Sequence, residues 1–241
     1  MNVNDMARNW ARWGEKDPLW AVLSLTGKED NRWDPDEFFA TGVQVVQQNL
    51  DWLNREGIVF RPALALDFGC GVGRLTRALA ARFERVHGVD ISDTMIQHAK
   101  ERKPVLDKIT FFVNPRADLS LLDAFRYDFI FSREVLQHIP TSYQRTYIRE
   151  FFRLLAPGGL AVFQTVAAVR WRRWLPDRLV EVYRRWRHGS KEFMPMYGIG
   201  PKEIRRFCHE HGAVVERWSS SPHPTHASRF RTDTYCVRKL P

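Results

Sequence analysis

The stretch running Leu64, Ala65, Leu66, Asp67, Phe68, Gly69, Cys70, Gly71, Val72, Gly73, Arg74 limits what this chain can fold into more than any other. An apolar run meets an acid and breaks into three closely spaced glycines. It then continues as Leu75-Thr76-Arg77-Ala78-Leu79-Ala80-Ala81, which has helical spacing. The pattern predicts a strand, a tight loop and a helix. Glycines there free the backbone for positive φ or for close approach of a ligand, and the helix start offers unpaired N–H groups to an anion. A helix packed closely on a sheet produces the same turn, so the context has to choose.

Asp90 ends the next short run, Arg85 to Ser92, and follows Gly69 by 21 positions. At that separation a second-strand carboxylate accepts hydrogen bonds from ribose hydroxyls, which favours ligand binding over simple packing. Ser92 caps a helix from Asp93 to Arg102 with Met95 and Ile96 facing inward. Ile109 to Val113 reads as a third strand, followed by Ala117-Asp118-Leu119 in a loop. There Asp118 suits either an exocyclic amine or plain solvent. Tyr127 to Arg133 is nearly all apolar, as a strand covered on both faces should be. It leads into Glu134-Val135-Leu136-Gln137-His138-Ile139-Pro140, then a helix from Ser142 to Leu155, the breaker Pro157-Gly158-Gly159 and a fifth strand from Leu160 to Val166. Strands alternating with helices imply right-handed crossovers and a parallel sheet.

The flanks differ from this core. Asp34 caps a helix with Pro35 at its first position, and Val43, Val46, Leu50 and Leu53 form its apolar stripe. Trp10, Trp13, Trp20, Trp33, Phe38, Phe39 and Trp52 are either packing residues or a cap over a pocket, with Phe39 and Gly42 near the ligand. Residues 169–187 alternate arginine with tryptophan. The segment reads as a basic amphipathic helix suited to an anionic membrane or partner, or equally as a docked helix with a solvated face. Pro201 opens a helix to His211, and Ala213 to Trp218 and Thr232 to Val237 read as strands. His223 and His226 lie between them without a third ligand, so no metal is expected.

At 241 residues and 44% hydrophobic content the chain can bury one substantial core. A net charge of +9 would suit nucleic acid, an anionic surface or an acidic metabolite. Cys70, Cys208 and Cys236 are too few and too scattered for a disulfide framework, which points to a reducing cytoplasm. Neither a leader nor a membrane-spanning run is read, so the expected setting is cytoplasmic or peripheral to a membrane.

Five segments in order resemble the class I S-adenosylmethionine-dependent methyltransferases: Leu66 to Arg74, Gly88 to Ser92, Ala117 to Leu119, Ser132 to Ile139 and Leu154 to Gly159. The resemblance implies an α/β, Rossmann-like, doubly wound sheet of seven strands, mostly parallel with the last antiparallel. The shared core is a cofactor-binding part over 57–166 with a C-terminal helix and two strands over 200–241; an N-terminal helical cap over 1–56 and a basic helical insertion over 167–199 after strand five are expected outside it, with roles the resemblance does not supply. Implied cofactor contacts are Asp67, Gly69, Cys70, Gly71 and Gly73 for the methionine moiety, Asp90 for ribose, and Ile91, Met95, Ala117 and Asp118 for adenine. Ser132 is implied beside the sulfonium, and Arg74 either at the methionine carboxylate or capping the loop. The cofactor would be S-adenosylmethionine, leaving S-adenosylhomocysteine.

The sulfonium already activates the methyl group, so alignment for in-line transfer and removal of a proton are what remain for the protein. His138 and Glu134 are the candidate bases, with helix capping as the alternative for His138. The equivalent of the Asn/Asp-Pro-Pro-Tyr/Phe signature of base-methylating relatives is Ser132-Arg133-Glu134-Val135, which disfavours nucleobases. A small-molecule, saccharide or lipid-linked hydroxyl is the expected acceptor. An RNA-directed enzyme and a non-catalytic S-adenosylmethionine-binding module are the alternatives, and a nicotinamide-dependent dehydrogenase fits the glycine spacing less well.

Overall fold

The computed structural model describes residues 2–102, 107–168, 194, 196–222 and 230–241. Seven strands form one sheet: β1 (Leu64–Phe68), β2 (Arg85–Asp90), β3 (Ile109–Val113), β4 (Tyr127–Ser132), β5 (Leu155–Ala168), β6 (Ala213–Pro222) and β7 (Phe230–Lys239). Their order is β3-β2-β1-β4-β5-β7-β6. The first five pair in parallel, and β7 runs antiparallel to both of its neighbours. The chain reverses its strand order after β3, so the carboxyl ends of β1 and β4 lie side by side; ligands bind at such a switch point.

Helices α1 (Val3–Lys16), α2 (Pro18–Val22), α3 (Pro35–Arg55), α4 (Arg74–Ala80), α5 (Asp93–Glu101), α6 (Thr141–Leu154) and α7 (Pro201–Glu210) surround the sheet. Asp34 caps α3 by accepting from the Glu37 N–H at 2.9 Å, with Pro35 at the first position as expected. Ser92 caps α5 by accepting from Met95 N–H at 3.2 Å. The apolar residues of α6 join Leu66, Phe68 and Ile130 in one buried cluster. Those of α3 and α4 join Ala65, Val86 and Phe129 in another. Alternate residues of β1 thus feed opposite faces, as a pleated strand requires.

The first two helices contribute Trp13, Leu19 and Ala21 to a third cluster with Trp33, Phe38, Val72 and Met95. Helix α1 is tied to α5 by Thr94 Oγ1 donating to Ala11 O at 3.0 Å and by His98 Nε2 lying 3.1 Å from Gly14 O. Several strands outrun the expected bounds. β5 starts at Leu155 and carries Pro157-Gly158-Gly159 as an irregularity, with the register shifting between Tyr127 and Phe129. β6 continues through Ser219, Ser220 and Ser221, which composition reads as loop, because β7 supplies an antiparallel ladder for them. Cross-strand pairing outweighs the weak strand preference of serine. The arginine–tryptophan segment, His223 and His226 lie outside the described residues.

Candidate functional site

The loop after β1 is pinned from below. Gly69 and Cys70 both donate to Val89 O, at 2.8 and 3.1 Å. Gly69, Gly71 and Gly73 all have positive φ. At Gly71 φ is 52° and a Cβ would sit 2.6 Å from Val22 Cγ2 of α2. The amino-terminal segment therefore presses directly on the loop. Asp90 organises its other side: one carboxylate oxygen accepts from Gly71 N–H at 2.8 Å and the other from Ser92 N–H at 2.9 Å. Burial raises its pKa while these two donors oppose the rise. Each oxygen keeps a lone pair for a vicinal diol.

Asp67 lies beneath the loop and not on the cavity wall. It is buried, accepts from Thr76 Oγ1 at 2.6 Å, and burial pushes its pKa up to about 7 against the pull of Thr76 and Arg74. Arg74 is 3% exposed. Its guanidinium donates to Thr41 Oγ1 at 3.2 Å, lies 3.6 Å from the Glu134 carboxylate, and leaves Nε buried without a partner. Burial lowers its pKa and Glu134 opposes that. Helix α3 reaches Arg74 only because residue 42 is glycine: a Cβ there would be 2.5 Å from Arg74 O. Gly42 and Phe39 are thus behind the site, with Phe39 under the Arg77 guanidinium at 3.8 Å.

A cavity of about 590 Å³ opens over the loop, its loop side lined by Phe68, Gly69, Cys70, Gly71, Arg74, Val89, Asp90, Ile91, Met95, Asn114 and Tyr147. Asn114 was not expected from sequence. It directly follows β3 at the same sheet edge as Asp90, and its backbone N–H donates to Asp90 O at 2.7 Å. Its side-chain amide donates to Asp118 O at 2.7 Å, so the Asp118 loop is held by Asn114. The Asp118 carboxylate instead accepts from Ser120 N and Oγ at 3.0 and 2.8 Å, which lowers its pKa. Gly73, Ala117, Asp118 and Ser132 do not line the cavity. Ser132 Oγ donates to Phe68 O at 3.1 Å, tying β4 to β1.

The opposite wall comes from the amino-terminal segment and the end of β4. Met6, Trp10, Trp20, Leu23, Trp33, Met194 and Met196 face Arg133, Glu134, Val135, Gln137 and His138. Trp33 and Trp20 spend their indole N–H groups on Leu23 O and Leu25 O, at 3.1 and 3.3 Å, so they present carbon to the cavity. Trp10 meets the His138 ring edge-on at a centroid distance of 5.5 Å. His138 Nε2 lies 3.2 Å from Gln137 Nε2. Glu134 holds φ at 63°, a left-handed conformation uncommon outside glycine and frequent at functional sites.

Residues 65–159 match the family described as "Methyltransferase domain". The chain is 34% identical over 128 residues to a trans-aconitate 2-methyltransferase of Methylobacterium radiotolerans, and 27% identical over 135 residues to a ubiquinone biosynthesis O-methyltransferase of Bordetella avium. Those stretches cover 50% and 56% of this chain but only 40% and 55% of the relatives' own length. In fold it is similar to the magnesium protoporphyrin IX methyltransferase of Synechocystis PCC 6803 bound to S-adenosylhomocysteine. The TM-score is 0.66 over 99% of this chain and 100% of that one, at 19% identity. With this sheet order, this glycine loop and these matches, residues 65–159 form a methyltransferase domain, set in a Rossmann-like methyltransferase fold.

Proposed function

We propose that this chain is a methyltransferase that binds S-adenosylmethionine and methylates a small molecule with an apolar body, at oxygen. One observation carries the reading: a single cavity joins the Asp90 side of the glycine loop to an aromatic chamber at the end of β4. A donor and an acceptor can therefore meet away from bulk water. The residues fit the cofactor. Asp90 offers acceptors to a diol, Ile91 and Met95 offer apolar faces to a purine, and the orphaned Nε of Arg74 faces a need for an anion. When bound, the cofactor supplies an activated methyl group, and the protein has to align the nucleophile and take its proton.

His138 suits the proton acceptor better than Glu134 does. The Glu134 carboxylate is engaged by Arg74, whereas the His138 ring borders the chamber between Trp10 and Gln137. Glu134 then serves to position Arg74. Asp67, Gly73 and Ser132 act from behind the wall, by shaping the loop and joining β4 to β1. Oxygen as the methylated atom is supported by the relatives, one named an O-methyltransferase. The test is calorimetry with S-adenosylmethionine and S-adenosylhomocysteine, followed by detection of S-adenosylhomocysteine release with candidate acceptors. Failure to bind either nucleoside sinks the reading, while binding without turnover against any acceptor leaves a non-catalytic module.

A further inference from the structure

Beside the aromatic chamber, at the carboxyl end of β4, lies a smaller pocket of about 230 Å³ lined by Arg133, Glu134, Gln137, Gln164, Ser221, Pro222 and Thr232. Arg133, Glu134 and Gln137 border both spaces, so the two are contiguous. Two polar atoms in the small pocket's wall are buried with no partner: Arg133 Nε and Thr232 Oγ1. Buried donors are ordinarily satisfied, and two orphans in one pocket point to a ligand atom that would satisfy them. Thr232 is placed there by tertiary pairing, since β7 sets it opposite Val166 of β5 and Ser221 of β6. Gln164 stands two positions before Val166 on the same face of β5 and adds an amide.

The charges around the pocket favour an anion. Arg133 makes no ion pair among the described residues, whereas Glu134 has the Arg74 guanidinium at 3.6 Å. Arg231 is turned to Ser220, to which its Nε donates at 3.0 Å. One guanidinium with flanking amide and hydroxyl donors matches the planar, singly charged carboxylate; a phosphate dianion would ask for more positive charge.

We propose that Arg133, Gln137, Gln164 and Thr232 form a carboxylate subsite, so that the acceptor is an acid whose apolar body fills the tryptophan- and methionine-lined chamber. This rests on the methyltransferase reading above. The carboxylate is an anchor, and the methylated group lies on the part of the acceptor held near His138. The test uses the protein saturated with S-adenosylhomocysteine and titrated with phenylpropanoate, naphthoate and octanoate, each paired with its primary amide. The acids should bind about tenfold or more tighter than their amides, the worth of a charge-assisted pair. Arg133→Met should collapse that ratio to near one, Arg133→Lys should restore part of it, and Thr232→Val should reduce it. The readout is a ratio within each variant, so a general loss of folding lowers both affinities and leaves it unmoved. Equal binding of acids and amides, absence of binding by every acid to the nucleoside-loaded protein, or a preference that survives Arg133→Met overturns the subsite. Failure of the nucleoside itself to bind instead overturns the methyltransferase reading.

Discussion

The two walls of the cavity are built in opposite ways. The wall over the glycine loop, proposed above for the cofactor, is made from short segments at consecutive strand ends, each braced by a neighbour: Gly69 and Cys70 on Val89, Gly71 on Asp90, Asn114 on Asp90. The facing wall, proposed above for the acceptor, is assembled from distant parts of the chain, with α1 and α2 folded over the loop, the end of β4, and Met194 and Met196. Hydrogen bonds from backbone N–H groups fix the first wall, and side-chain packing forms the second. Methyl donors are alike across a family and acceptors are not, so a braced wall and a packed wall divide the work sensibly. Packed surfaces accept substitution more readily than backbone hydrogen-bond networks do.

That contrast can be broken most forcefully at His138. His138→Ala should lower kcat by on the order of a hundredfold or more while the S-adenosylhomocysteine affinity stays near that of the wild type. Steady-state kinetics beside calorimetry reads both, and an unchanged kcat removes His138 from proton transfer. Glu134→Ala should instead weaken nucleoside binding through Arg74, and a pure loss of turnover would reverse the two assignments.

The next effect concerns the core under the cofactor wall. His87 is 5% exposed, lies 2.9 Å from Tyr127 Oη, and burial lowers its pKa to about 4. Between pH 6.5 and about 4 the unfolded chain takes up a proton there that the folded chain does not, so this residue's contribution falls as pH drops, by about 3 kcal/mol. Asp67 works the other way, since its folded carboxyl keeps a proton up to about 7 and its contribution falls as pH rises from 3.8. The two offset each other in the wild type. Denaturant unfolding of His87→Phe against wild type separates them: the variant should gain relative stability steadily as pH falls, and a pH-independent difference would refute the burial of a neutral imidazole.

Gly71→Val should cost roughly a hundredfold in S-adenosylhomocysteine affinity, because the new side chain meets Val22 at a residue needing positive φ. Wild-type affinity would show the loop to be looser than its hydrogen bonds imply. The smallest effect belongs to the packed wall. Trp33→Ala should raise the acceptor KM by roughly tenfold and shift nucleoside affinity much less. If both fall together, the walls are one cooperative unit and the contrast fails.

Much of this was legible along the chain. The strand, glycine loop and helix around Gly69, the spacing to Asp90 and the caps at Asp34 and Ser92 follow from local backbone chemistry and were all recovered at their positions. Asp67, Asp118 and Ser132 stand in motifs that imply cofactor contact, yet their side chains turn to Thr76, Ser120 and Phe68 O. A motif specifies the backbone path but not where a side chain finds its strongest partner. Asn114 carries no motif, and no local pattern signals that Gly42 packs on Arg74 and Phe39 under Arg77, off the cavity wall.

The glycine-loop half of the cavity is legible along the chain because its signals are local: positive-φ glycines, capping side chains, and apolar runs ended by acids. The facing half depends on tertiary packing. Met194 packed on the cluster that holds Trp33, Trp10 against His138, and Arg133 sharing a pocket with Gln164 and Thr232 bring together residues far apart in sequence. They arise because burying the apolar face of α1 and α2 and pairing β5 with β7 bring those residues together, and neither event leaves a spacing that can be read along the chain.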